Sequence, residues 1–215
     1  MSLDTILPGL AHLLGGGILL LSFMLVLRRR VVAAINSLSG QGVLLALLGL
    51  CHAWDRADSM LALVALLLAA GQGLLLPLAL REWVRRQGLR QDSGAVPASR
   101  PLAGLLAAVA LVLLAVMTLA PVTAGAAAAM REDLVLALAV MLIGLLVMAS
   151  RRGQHGGPLG QAIGLASLMN GALLAALATP GLPLMPALAI VAMAVPFATV
   201  AAFLTLRPQV GEDPA

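Results

Sequence analysis

Seven long apolar runs follow one another through this 215-residue chain, and none has an Asp, Glu, Lys or Arg between its ends. A helix needs about 20 apolar residues to cross a hydrocarbon core of about 30 Å. The runs are Ile6 to Leu27, Val31 to Ala53, Met60 to Leu80, Leu102 to Ala120, Leu134 to Ser150, Leu159 to Ala178 and Leu184 to Leu206, the fifth being the shortest. In lipid every backbone N–H and C=O must be satisfied within the segment, so runs of this length form helices. Composition closes off the alternative. Hydrophobic residues make up 61% and charged ones 10%, whereas soluble domains average about 45–50% and about 25%. The expected fold is an all-α integral membrane protein, a bundle of seven transmembrane helices.

The net charge of +4 comes from thirteen Arg and no Lys. In a soluble domain such a balance would raise nucleic acid as a partner, but these Arg residues stand in short loops beside apolar runs. Alternating the seven helices places Arg28, Arg29, Arg30, Arg81, Arg85, Arg86, Arg90, Arg100, Arg151, Arg152 and Arg207 on one side, and Arg56 and Arg131 on the other. By the positive-inside rule the first side is cytoplasmic. The chain is thus expected in a bacterial cytoplasmic (inner) membrane with its N-terminus outside and its C-terminus inside, and nucleic acid is excluded. Trp54 and Trp83 fall at opposite interfaces, as belt residues do. The basic cluster follows the first apolar run instead of preceding it, which reads as a first transmembrane helix and not as a cleaved signal peptide. Cys51 is the single cysteine, and without clustered Cys and His companions no metal or iron–sulfur ligand set is expected in this chain.

The chain repeats itself. Gln41-Gly42-Val43-Leu44-Leu45-Ala46 in the second run matches Asn170-Gly171-Ala172-Leu173-Leu174-Ala175 in the sixth. Leu61-Ala62-Leu63-Val64-Ala65 in the third matches Leu188-Ala189-Ile190-Val191-Ala192 in the seventh, and both of those runs end in Leu-Arg. Helices one to three therefore read as duplicated in helices five to seven. The fourth restores the orientation that a tandem odd-numbered unit would invert. The expected organisation is a first three-helix repeat over residues 1–81, a cytoplasmic linker over 82–100, a linking fourth helix and outer loop over 101–132, a second three-helix repeat over 133–207, and a cytoplasmic tail over 208–215.

Few polar side chains interrupt the runs. They are His12, Ser22, Asn36, Ser37, Ser39, Gln41, Gln72, Thr118, Gln161, Ser167, Asn170 and Thr199. Amides and hydroxyls in membranes commonly join helices by hydrogen bonds, which is the plainest role for each of these. A neutral amide cannot hold an extra proton near pH 7, so amides alone make no proton relay. His12 is the one titratable side chain well inside a run, and it stands close enough to the outer surface to reach interfacial water. Gly15, Gly16 and Gly17, Gly40 and Gly42, and Gly71 and Gly73 form small-residue faces for close helix packing, within the bundle or against a neighbouring protein. Pro77 and Pro196 free backbone carbonyls inside helices.

Two segments carry a family resemblance. Gly71-Gln72-Gly73-Leu74-Leu75-Leu76-Pro77-Leu78 and the stretch from Gly164 to Met169-Asn170-Gly171 resemble the hydrogenase-4 component E family, membrane subunits of formate hydrogenlyase and related group 4 hydrogenases. That family is similar to the small three-helix membrane subunit of respiratory complex I and to its small counterpart in the multisubunit sodium/proton antiporters. The resemblance covers most of the chain and departs from the family at three places. Gln72 stands where the family tends to carry Lys, Met169 where it tends to carry Glu, and Ala194 where some members are acidic. Losing one member of a buried charge network strands the others at a cost of several kcal/mol, so a joint loss is physically coherent.

The resemblance implies a non-catalytic subunit of a complex I-like or group 4 hydrogenase-like redox-driven, ion-pumping complex. Its partners would be antiporter-like large membrane subunits, other membrane subunits and lipids. It would hold no cofactor, and its polar path or helix contacts would run through Gln41, Gln72 and Asn170, with His12 as a further candidate. The alternative is a stand-alone small-solute transporter or channel, suggested by the repeat and the two helix prolines, because repeats commonly enclose a substrate site at their interface. An intramembrane enzyme would need a paired nucleophile and base, and no credible pair stands out in this sequence.

Overall fold

A computed structural model describes residues 3–28, 30–86, 99–123, 125, 128–150 and 157–179. Among these residues there are helices and no strands. Helix α1 spans Leu3–Leu27 and α2 spans Val31–Asp55. Helix α3 is continuous but has three parts, α-helical Ser59–Leu68, π-helical Ala69–Leu75 and α-helical Leu76–Arg86. Helices α4, α5 and α6 span Ser99–Val122, Ala128–Ser150 and Gly157–Ala178. Each of the six contains a stretch long and apolar enough to cross a membrane, so the chain is a multi-pass helical protein. The seventh expected run, 184–206, lies outside the described residues, as does Ala194.

Helix boundaries follow from local chemistry. The α2–α3 turn is a Schellman closure: Ala57 donates its N–H to the Trp54 carbonyl at 3.2 Å and Asp58 to the Ala53 carbonyl at 3.0 Å. Ala57 occupies the left-handed position, with φ of 50°, where glycine is the usual occupant. Asp58 then caps α3, its carboxylate accepting from the backbone N–H groups of Met60 at 2.9 Å and Leu61 at 3.2 Å.

Helices α1, α2, α5 and α6 form the centre of the bundle. Helix α1 packs on α2 and α5, and α6 packs on α5 and α2. Helix α3 lies outside α2, while α4 lies outside α1 and α5 and is the least buried of the six. Helices α5 and α6 share the most extensive contact, and glycines explain it. A Cβ on Gly144 would meet the Leu168 nitrogen at 2.6 Å, one on Gly164 the Met148 nitrogen at 2.6 Å, and one on Gly171 the Met141 nitrogen at 2.8 Å. These backbones touch directly, as small residues permit in membranes. Gly16, by contrast, has nothing within 4 Å of where its Cβ would stand.

Two apolar clusters stack along the bundle. One is built around Ile18, Leu45, Leu48, Leu68, Leu173 and Leu177. The other is built around Leu25, Leu38, Leu76, Leu80, Ile143 and Ile163. Trp83 belongs to the second and is buried, so of the two expected interfacial tryptophans only Trp54 is exposed.

Candidate functional site

Between the two clusters lies a polar layer, and the register of each helix puts it there. Ser22 stands between Ile18 and Leu25 on α1, Gln41 between Leu38 and Leu45 on α2, Gln72 between Leu68 and Leu76 on α3, and Ser167 and Asn170 between Ala166 and Leu173 on α6. Every one of these five polar side chains is buried, with at most 1% of its surface exposed. Gln41 sits ten residues into α2, about 15 Å along the helix at about 1.5 Å per residue, which is mid-membrane depth for a spanning helix.

The hydrogen bonds in the layer have a forced direction. Ser22 Oγ donates to the Ile18 carbonyl at 2.9 Å. Its single proton is then used, so it accepts from Gln41 Nε2 at 2.7 Å. Gln41 therefore turns Oε1 toward α6, where Asn170 Nδ2 donates to it at 3.4 Å. Asn170 Oδ1 is left pointing away as a buried acceptor without a hydrogen-bond partner, and so is the hydroxyl of Ser167, one helical turn earlier. Gln41 and Asn170 are the two amides that head the matching hexapeptides. Their meeting joins α2 to α6.

The third amide lies in the π-helical part of α3. Pro77 has no N–H to give to the Gly73 carbonyl four residues earlier, and Ser39 Oγ of α2 donates to that carbonyl at 2.7 Å. A neighbouring hydroxyl thus satisfies the group that proline releases, the usual reason such prolines are tolerated in membrane helices. The crossing is tight because Gly42 lies against the peptide between Gln72 and Gly73. A Cβ there would stand 2.6 Å from the Gln72 carbonyl carbon and 2.7 Å from the Gly73 nitrogen. One-turn π segments are frequent at functional positions. Gln41, Gln72 and Asn170 are thus all held in one layer, Gln72 through its backbone beside Gly42. Met169 is half-buried next to Asn170.

His12 is not part of this layer. Its imidazole Nε2 lies 2.6 Å from Glu132 Oε2 at the end of the bundle, with the two side chains 64% and 51% exposed. A second pair, His52 Nε2 and Asp133 Oδ2, stands 3.8 Å apart and is better buried. At the same end Arg56 donates to the Leu177 carbonyl at 2.9 Å, closing the last turn of α6. Sequence reasoning missed both acidic partners. The signal was Arg131-Glu132-Asp133 directly before an apolar run, at the same membrane end as His12 and His52. Among the described residues no group of His, Cys, Asp and Glu is placed to hold a metal ion.

No protein-family model, curated protein or solved structure matches this chain.

Proposed function

We propose that the chain is a non-catalytic integral subunit of a larger membrane complex of the complex I-like or group 4 hydrogenase-like kind, a redox-driven ion pump in which it holds neighbouring membrane subunits in register. The carrying observation is that every buried polar side chain among the described residues is neutral: Ser22, Ser37, Gln41, Gln72, Thr123, Ser167 and Asn170. Subunits that move protons or cations keep ionisable groups at mid-membrane. Here the positions that resemble that family's charged sites are Gln72, in a neutral layer, and Met169, beside it. The reading includes a bacterial inner membrane, an outer N-terminus and antiporter-like partner subunits. Purification in mild detergent tests it: co-purification of antiporter-like and iron–sulfur subunits is the expected result, and a lone monomer ends the idea.

One observation favours a second reading, a small-solute carrier or channel. The layer holds a buried acceptor on Asn170 and a buried hydroxyl on Ser167, both without partners, beside a π-helical crossing. Such groups suit a hydrated path through Gln41, Gln72 and Asn170. Liposomes containing only this protein decide between the two: uptake of water or a small neutral solute supports the carrier, and inert vesicles support the scaffold.

A further inference from the structure

A groove of about 520 Å³ runs between α1, α4 and α5, within the range of about 300–1,000 Å³ typical of small-ligand sites. We infer that this groove holds one acyl chain of a glycerophospholipid, with the lipid phosphate at Arg131.

Its walls are Leu19, Val112, Val116, Val135 and Ala139, and its mouth is His12, Arg131 and Glu132. The mouth is sorted by charge. Glu132 is engaged by His12 at 2.6 Å, whereas Arg131 is exposed and has no ion pair or hydrogen bond among the described residues. A cation at the polar end of an apolar slot suits a phosphodiester, because guanidinium donors match phosphate oxygens. The other end is apolar. Val116 is 38% exposed on the outer helix α4, so the slot is reachable from the surrounding lipid.

Length selects the occupant. From Glu132 to Ala139 on α5 and from Ala120 to Val112 on α4, the lining advances seven and eight residue steps, about 10–12 Å at about 1.5 Å per residue. One leaflet of a hydrocarbon core of about 30 Å is about 15 Å deep. The slot therefore fits within a single leaflet, which suits an acyl chain hanging from a headgroup at its mouth. A transmembrane helix of a neighbouring protein would need a seat along the whole thickness. This inference does not depend on the scaffold reading.

Native mass spectrometry of the full chain, purified in mild detergent with whatever subunits accompany it, tests the site with added phosphatidylglycerol and, as a phosphate-free control, diacylglycerol. The wild type retains one phosphatidylglycerol in preference to diacylglycerol. Val116→Trp, which fills the slot from the exposed side of α4, abolishes retention. Leu113→Trp, on an exposed position outside the groove lining, leaves it unchanged. Arg131→Gln lowers phosphatidylglycerol retention about three- to tenfold, as expected for a charge-assisted bond weakened by exposure, and leaves diacylglycerol unaffected. Absence of a retained lipid in the wild type, or equal retention in all three variants, overturns the inference. So does a photocrosslinker at position 116 that captures a polypeptide in place of lipid.

Discussion

Gly42→Ala is the sharpest probe of the α2–α3 crossing. The added methyl would stand 2.6 Å from the Gln72 carbonyl carbon and 2.8 Å from its oxygen, whereas carbon atoms in contact prefer about 3.5–4.0 Å. The helices must therefore separate locally by about 1 Å. That movement stretches the 2.7 Å bond from Ser39 Oγ to the Gly73 carbonyl beyond hydrogen-bonding range, at about 0.5–1.5 kcal/mol. Overpacking of this kind costs about 1–3 kcal/mol in total, and the better helix propensity of Ala offsets at most about 1 kcal/mol of it. The net expectation is a loss of about 1–2 kcal/mol. Gly16→Ala is the matched control, since nothing lies within 4 Å of its Cβ position, and it should be neutral or slightly stabilising. Reversible unfolding in mixed detergent micelles, followed by far-UV circular dichroism or steric trapping, reads both. Equal stability of Gly42→Ala and the wild type, or an equal loss in Gly16→Ala, would refute the claim that the two backbones meet at this point.

Two further outcomes follow from the same bonding. Ser39→Ala should cost about 0.5–1.5 kcal/mol in the native chain and much less in a Pro77→Ala background, where residue 77 regains an N–H for the Gly73 carbonyl; a double-mutant cycle with no coupling would sink this account. At the α2–α3 turn, Ala57→Gly should stabilise by about 0.5–1 kcal/mol by relieving the left-handed backbone, while Asp58→Ala should destabilise by about 1 kcal/mol through loss of the cap, both read as shifts in the unfolding midpoint.

Much of this architecture is legible from the chain because lipid imposes a simple length rule. The six described spans coincide with apolar runs to within two or three residues at most ends, as α2 does over Val31–Asp55 against an expected 31–53, but α3 runs six residues past Leu80 to Arg86 and α5 starts six before Leu134 at Ala128. Buried amides are legible as the few polar residues in apolar runs, and two of those expected as helix contacts, Gln41 and Asn170, are hydrogen-bonded to each other. What stays hidden depends on contacts between distant segments. Glycine faces picked out by local density, such as Gly15 to Gly17, are weaker guides than Gly144, Gly164 and Gly171, scattered through α5 and α6, because only the crossing geometry makes a glycine indispensable. Pro77 and the flanking glycines of Gln72 announce an irregular helix, but its π-helical form and its hydroxyl partner Ser39 lie in different helices. Trp83, at a span end, is buried in the apolar cluster with Leu76 and Leu80, a packing that its sequence position does not announce. His12 gains its meaning only from Glu132, 120 residues away in sequence.

The neutrality of the mid-bundle layer can be tested by charging it. Gln72→Lys places an ammonium group between the two apolar clusters, where the side chain it replaces is 1% exposed. A lysine at the centre of a spanning helix costs about 2.5–3.5 kcal/mol when it can find water or a partner by snorkelling. From residue 72 the nearer helix end is Ser59, and the thirteen residues between them rise about 20 Å at about 1.5 Å each, too far for a four-carbon stem. A dry scaffold should therefore lose at least about 2.5–3.5 kcal/mol of stability in this variant. A layer that carries a hydrated path should lose under about 1 kcal/mol, because water would solvate the charge. Adding Met169→Glu to Gln72→Lys should recover part of the loss only if the two positions share an environment, so recovery would also show that the site retains the geometry for a charge pair. A small loss in the single variant, accompanied by a proton conductance in liposomes that the parent chain lacks, would displace the scaffold reading in favour of a path through this subunit.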